Sequence, residues 1–436
     1  MSQKSVFFAP HMALLLSGMR PLLYVLIALS ADAGAMSFGV FDPRGQAMGG
    51  ATVAAASWHQ AQYYNPALLA LHEEREQDSR DGRFVFPNLV AQADNSAEGV
   101  ADAVTNELDQ QLADAVNAFN SDPTQQTAGE VVSSSRELQT LLDDLANTDI
   151  TADAFVGFSV SEPSLLEGGA FYFGVRTLAF GSSDIPEDDL RLLDRYIDAV
   201  EIVASGGDPA TIPADLIDGN GNLIDPTSQF NSTADLSAIS ISEWAVAMAK
   251  QIEVYGQALS FGITPKVMRV DVFRETTNFD DSEFSFSDSQ RSYVNLNADL
   301  GVALELFDHY RLAFAVKDVV PEEFEASNGL LLQIKPRPRL GLAYVNDWIT
   351  VGVDVDLAEN EPLAAELSTQ ETSVGLELSP WQSFDLRFGY KQDMTGIRDD
   401  VLSGGVAYQT GRFVFELSYA RSSLNTGAGM QFGWAF

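Results

Sequence analysis

Asp218-Gly219-Asn220-Gly221-Asn222 begins as calcium loops do, with side-chain oxygens at alternate positions. The pattern then fails, because the place of the turn glycine is taken by Leu223 and that of the closing glutamate by Gln229. His11, His59, His72 and His309 show no ligand spacing. The chain has no cysteine, which excludes thiolate metal sites, cysteine nucleophiles and disulfides. Nothing in it has the form of a catalytic triad, a phosphate-binding loop or a paired-carboxylate site. The expectation is therefore a non-enzyme with no catalytic residues, no metal and no cofactor. What stands out instead is a set of single charges inside apolar runs: Arg176, Asp299, Arg311, Lys317, Asp354, Asp356, Asp385, Arg387 and Glu416. These read as salt bridges inside a polar lumen, with a proton relay as the alternative.

The elements that carry those charges alternate with period two, the mark of strands with two unlike faces. In 412–420, Phe413, Phe415, Leu417 and Tyr419 oppose Arg412, Val414, Glu416 and Ser418. The same alternation sets Phe384, Leu386, Phe388 and Tyr390 against Asp385, Arg387, Gly389 and Lys391, and Ile349, Val351, Val353 and Val355 against Thr350, Gly352, Asp354 and Asp356. Fourteen strands are predicted, over 83–91, 153–160, 169–179, 242–253, 257–274, 291–306, 311–318, 338–345, 349–357, 372–379, 384–392, 401–409, 412–420 and 428–436. Long connections alternate with tight turns, as in outer-membrane barrels with short periplasmic turns and longer external loops. A β-sandwich has no reason to sort its loops by parity. Trp244, Tyr310, Tyr344, Trp348, Trp381, Tyr390 and Trp434 are expected near strand ends as an interfacial girdle. The fold class is thus an all-β transmembrane barrel of about fourteen antiparallel strands over 83–436, with an N-terminal plug at 36–82.

Two loop insertions, 92–151 and 181–241, carry helical spacing. In the first, Val100, Val104, Leu108, Leu112, Val116 and Phe119 share one face, and Leu138, Leu141, Leu142 and Leu145 another. The second repeats the spacing with Leu190, Leu193, Ile197, Val200 and Val203. Residues 1–35 read as a signal peptide: Lys4 and Arg20 precede the apolar run from Pro21 to Leu29, and Ala33-Gly34-Ala35 suits cleavage before Met36. That run is too short to span a bilayer. The last strand presents Met430, Phe432, Trp434 and Phe436 as one apolar row ending at the final residue, with Gln431, Gly433 and Ala435 facing inward. The location expected is the bacterial outer membrane of a Gram-negative cell. A net charge of −37 and a pI near 4.2 disfavour nucleic-acid binding, which depends on basic residues. The same charge suits a solvated acidic surface, or acidic loops bridged by divalent cations to lipopolysaccharide.

Between signal and first strand lie Arg44, Met48-Gly49-Gly50-Ala51 and Asn65-Pro66-Ala67. Together with Lys335-Pro336-Arg337-Pro338-Arg339-Leu340-Gly341-Leu342-Ala343-Tyr344, they are similar to the barrel family catalogued as conjugal transfer protein TraF, and the similarity runs over nearly the whole mature chain. The small-residue stretch followed by Asn-Pro-Ala also resembles the hatch of FadL-type transporters of hydrophobic compounds, whose barrels have fourteen strands. The resemblance implies a hatch motif at Arg44, Gly49, Gly50, Asn65, Pro66 and Ala67, either as a gate or merely as the shape of a lumen-filling segment. The terminal row resembles the signal read by the barrel-assembly machinery. Expected partners are outer-membrane lipid, lipopolysaccharide, that machinery and a hydrophobic small molecule. Two functions stay open: passive transport of hydrophobic or amphipathic small molecules, and a structural or docking part of a conjugation or secretion apparatus.

Overall fold

A computed structural model describes residues 36–71, 82–95, 108–146, 150–163, 167–278, 290–326, 331–360, 368–381 and 383–436. The signal assigned to 1–35, with His11, lies outside the described residues, as do His72, Val100 and Val104.

The alternating runs form strands β1 (Arg83–Asp94), β2 (Ile150–Glu162), β3 (Glu167–Asp184), β4 (Thr233–Val254), β5 (Gln257–Asn278), β6 (Gln290–Leu306), β7 (Tyr310–Lys317) and β8 (Glu322–Glu325). They continue as β9 (Leu331–Ile334), β10 (Arg337–Val345), β11 (Ile349–Asp356), β12 (Glu371–Trp381), β13 (Phe384–Asp393), β14 (Val401–Thr410), β15 (Phe413–Arg421) and β16 (Asn425–Ala435). All but β8 and β9 close into one antiparallel barrel of fourteen strands, in which β1 pairs with β16 from Arg83 opposite Ala435 to Asp94 opposite Asn425. Closure leaves no edge, which a lipid environment demands. The two faces differ as their residues require. On β15, Phe413, Phe415, Leu417 and Tyr419 are exposed outward, while Val414, Glu416, Ser418 and Ala420 are buried inward. No helix among the described residues is long and apolar enough to cross a membrane.

One end carries tight turns. At Tyr255-Gly256 both residues are left-handed, the geometry of a two-residue turn that matches strand twist. Phe436 lies at this same end, its N–H bonded to the Gly82 carbonyl at 2.9 Å. Pro87 has no N–H to donate, and β1 shifts register between Val85 and Asn88 against both neighbours.

Several expectations need correction. Strands β3, β4 and β5 run well past the predicted ends, so the helical part of the second loop is only Glu187–Ala204. The extra residues, such as Ser240, break the apolar outer row that carries the period. Trp244 consequently sits in the middle of β4, packed against Phe173 with ring centroids 4.3 Å apart, and not at a strand end. The connection between β7 and β10 is not plain loop: β8 and β9 pair there as a separate hairpin.

Among the described residues, five α-helices complete the fold. Two short ones, α1 (Pro43–Ala47) and α2 (Ala61–Tyr64), belong to the plug. In the loops, α3 (Leu108–Ser121) and α4 (Gln125–Leu145) form the expected pair, and α5 (Glu187–Ala204) packs on them. Leu112, Val116, Leu138, Leu142, Leu193, Ile197, Val200 and Val203 share one core. The two helical loops are therefore one three-helix cap, tied further by Arg136 to Glu201 at 2.9 Å.

Candidate functional site

Residues 36–71 fill the barrel, and the plug is built from capped turns. Asp42 caps α1 by accepting the Gly45 N–H at 2.9 Å, and Pro43 follows at the first helical position. After α1 the chain reverses through Gly49 and Gly50, both left-handed. Asn65 caps the turn Pro66–Ala70 by accepting the Ala67 N–H, and its amide donates to the Val53 carbonyl at 2.9 Å. Tyr64 joins the two halves: its hydroxyl donates to Asp42 at 2.6 Å and accepts the Phe41 N–H at 2.9 Å. Burial, and then the charge of Glu416, push the Asp42 carboxyl up to about 6.

The wall is shaped to receive this segment. Gly352, Gly375 and Gly389 are direct cross-strand neighbours on β11, β12 and β13. A Cβ on Gly375 would stand 2.7 Å from the Met48 carbonyl oxygen, and one on Gly389 would collide with the Gly49 nitrogen. Gly262 and Gly301 are likewise paired on β5 and β6, where Ala67 and Asn65 occupy the space of their missing side chains. Alanines do the same work elsewhere: Ala170, Ala245, Ala247, Ala303, Ala313 and Ala315 meet Phe41, Val53, Tyr63, Leu68 and Leu69 of the plug in one apolar cluster.

Charges lock what the small residues admit. Arg44 grips Glu377 with two bonds of 2.8 and 2.9 Å and donates to the Ala55 carbonyl at 2.9 Å. Arg387 also holds Glu377, at 2.6 Å, and reaches Glu416 at 3.1 Å. Asp354 accepts the backbone N–H groups of Thr52 and Val53 at 2.6 and 2.8 Å. Lys317 donates to the Tyr63 carbonyl at 2.7 Å and lies 3.9 Å above the Phe41 ring. Arg337 donates to the Ser37 carbonyl at 2.7 Å, and Arg339 spans Asp356 and Glu371 while stacking on Phe38. Lys266 faces Glu243, Asp299 and Asp318 at 2.6 to 2.9 Å. These charges are buried, or nearly so for Glu377, and all but Asp354, which accepts backbone N–H groups instead, face an opposite charge, so that none incurs its desolvation cost alone.

Arg44, Gly49, Gly50, Asn65, Pro66 and Ala67 thus meet in the plug. Met430, Trp434 and Phe436 are exposed on the outer face of the last strand, Phe432 is half-buried there, and Gln431, Gly433 and Ala435 are buried. Asp218 sits apart, exposed, accepting the N–H groups of Asn220 and Asn222 at 2.8 Å. Missed in the sequence were Asp42, Tyr64 and the glycine seat. An isolated glycine inside an alternating strand signals close backbone approach, and it was there to be read at Gly352 and Gly389.

Space remains on both sides of the plug. A cavity of about 630 Å³ opens at the tight-turn end, lined by Arg44, Ser57, Trp58, Glu305, Arg311, Trp348 and Glu377 among others. A smaller one of about 50 Å³, beside Gln46, Gln92, Asp153, Glu371 and Lys391, lies on the opposite side. Above the charged layer the inner wall of β3, β4 and β5 turns apolar. Leu178, Phe180, Ile239, Ile241, Val270 and Val272 are covered by Phe324 and Ile334 of the β8–β9 hairpin and by Met36.

A family model described as "F plasmid transfer operon, TraF, protein" matches residues 62–356. Among solved structures, a monoaromatic hydrocarbon channel, the TodX deltaS2S3 mutant, is similar with a TM-score of 0.51 at 11% identity, covering 91% of this chain and 99% of that one. The CymD monoaromatic hydrocarbon channel gives 0.47 at 11% identity, over 92% and 99% of the two chains. A FadL homologue of Pseudomonas aeruginosa gives 0.45 at 11% identity, again over 92% and 99%. No curated protein matches the chain.

Proposed function

The chain belongs to the family described as "F plasmid transfer operon, TraF, protein", and for this member of it we propose passive transport of hydrophobic or amphipathic small molecules across the bacterial outer membrane, with the plug as gate. The observation that carries the reading is the apolar inner wall of Leu178, Phe180, Ile239, Ile241, Val270 and Val272. A barrel lumen in water is ordinarily polar. In this reading Phe324, Ile334 and Met36, which cover that wall, move aside and leave it as a desolvated surface for an apolar solute before the solute meets the plug. The outward apolar row of Phe413, Phe415, Leu417 and Tyr419 on β15 is the lipid-facing counterpart of that wall, and the tight turns with Phe436 face the periplasm in this reading.

The test is uptake of a small aromatic or alkyl substrate by cells with and without the protein, at concentrations where diffusion through lipid limits the rate. Faster uptake with the protein is expected. Equal rates, with folded barrel present in the membrane, would overturn the proposal. A second reading, a docking part of an envelope apparatus, draws on the three-helix cap. It has its own core and presents Glu187, Asp188, Asp194, Asp198 and Glu201 on α5. Recovery of apparatus components by wild type, and not by a variant lacking the cap, would favour that reading.

A further inference from the structure

Buried polar atoms without protein partners are rare in folded proteins, and where they gather, ordered water is the usual partner. Among the described residues sixteen such side-chain atoms occur, and eight of them lie in one seam between the plug and strands β1 and β2. From the plug come Asp42 Oδ2, Gln60 Nε2, Gln62 Oε1 and the Tyr63 hydroxyl. From the wall come Arg83 Nε, Asn88 Oδ1, Ser159 Oγ and Ser161 Oγ. Every one of these residues is at least nine-tenths buried.

Their placement is linear. Arg83 pairs with Ser161 across β1 and β2, Val85 with Ser159, and Asn88 with Gly157, so the wall atoms form a column along the strands. Ser159, Asn88 and Gln62 surround the Tyr63 hydroxyl. The upper end of the column opens beside Gln92, Asp153 and Gln46, which line the 50 Å³ cavity; that volume holds roughly three or four water molecules. At the lower end, Gln60 is bonded to Ser57 at 2.7 Å, and Ser57 lines the 630 Å³ cavity. Arg83 lies there as well, 3.2 Å from His59. From Gln92 to Arg83 the strand runs roughly 30 Å at about 3.3 Å per residue, comparable to the thickness of the hydrocarbon layer. On the opposite side of the plug Leu68 and Leu69 make apolar contact with the alanines of β4, β6 and β7, and the atoms of the same kind on Thr264, Arg337, Asp354 and Ser373 are spread over four strands.

We propose that this seam is a continuous file of water through the barrel, passing water and protons between the two cavities while the plug stays seated. The file is narrow, because Val85 and Val90 interrupt the polar atoms of β1, and it excludes solutes larger than water. It is separate from the route proposed for hydrophobic molecules, which meets the apolar wall of β3 to β5.

Proteoliposomes of the full protein test it by two fluxes, osmotic shrinkage and the decay of a proton gradient read by an enclosed pH dye. Wild type is expected to exceed protein-free vesicles in both, and Ser159→Val with Ser161→Val to lower both at least about fivefold. Ser373→Ala, on β12 away from the seam, should leave both unchanged. Barrel integrity is checked by the shift in gel mobility on heating. If the double variant does not fold, Ser161→Val alone and a second measurement decide. In X-ray radiolysis, water held in place oxidises the side chains beside it. Tyr63 is expected to be modified, while Tyr172, equally buried but bonded to Glu243 at 2.8 Å, is expected to be protected. Wild-type fluxes equal to those of empty vesicles, fluxes unchanged by filling the seam, or Tyr63 as protected as Tyr172 would each overturn the proposal.

Discussion

Asp42 is the plug residue whose charge state matters most. Its carboxyl is fully buried, faces Glu416, and titrates near 6 in place of the usual value near 4. A raised carboxyl pKa means that the folded state prefers the proton. The contribution is complete below the unfolded value and is lost as pH rises through 6. Asp42→Asn keeps an oxygen for Gly45 and Tyr64 and removes the charge. Relative to wild type it should gain roughly 2 to 3 kcal/mol at pH 7 and little at pH 4, measured by urea unfolding. A difference that does not depend on pH would contradict this. Arg44→Met should cost about 3 kcal/mol in the same assay, because it strips one partner from buried Glu377 while Arg387 remains. Arg44 was legible in the sequence through the hatch resemblance. Asp42 and Tyr64 were not, since the pair is 22 residues apart and only the folded plug brings them together.

At the scale of elements, the strands were readable because lipid on one side and charge on the other force strict alternation, as on β13 and β15. Legibility failed where that pressure ends. In the outer reaches of β4 and β5 the outward row turns polar, as at Ser240 and Glu275, and the β8–β9 hairpin is too short to show a period. The seat was hidden for another reason: a glycine in a polar row says nothing about which backbone approaches it. The row Gly352, Gly375 and Gly389 therefore makes the sharpest prediction about elements. Gly389→Val should leave a closed barrel that shifts on heating, yet unseat the plug and raise single-channel conductance in planar bilayers. Gly404→Ala, whose added Cβ would meet nothing closer than 3.4 Å, should behave as wild type. Equal conductance from both variants would show that the girdle does not hold the plug. In the cap, Leu193→Ala should cost about 2 to 5 kcal/mol of cap stability and leave the barrel's heat shift intact, because the cap has its own core.

The whole molecule is a barrel with acidic helices on one end, a waist that the plug seals to solutes larger than water, and an apolar patch above the seal. Net charge is −37, yet Arg44, Arg83, Arg176, Lys266, Lys317, Arg337, Arg339 and Arg387 are all buried around the plug. The interior holds its positive charges against carboxylates, and the surface excess is acidic, suited to solubility. The central claim is that this seal moves when a hydrophobic solute crosses. Because the chain lacks cysteine, Gln46→Cys with Ser418→Cys introduces one thiol pair between α1 and β15, at positions whose wild-type side chains meet tip to tip at 2.6 Å, and a short reducible bis-thiol reagent bridges it. Uptake of a small aromatic substrate by cells carrying this variant is measured crosslinked and then reduced. The account predicts that crosslinking stops protein-dependent uptake and reduction restores it; uptake that continues undiminished with the plug locked would contradict it.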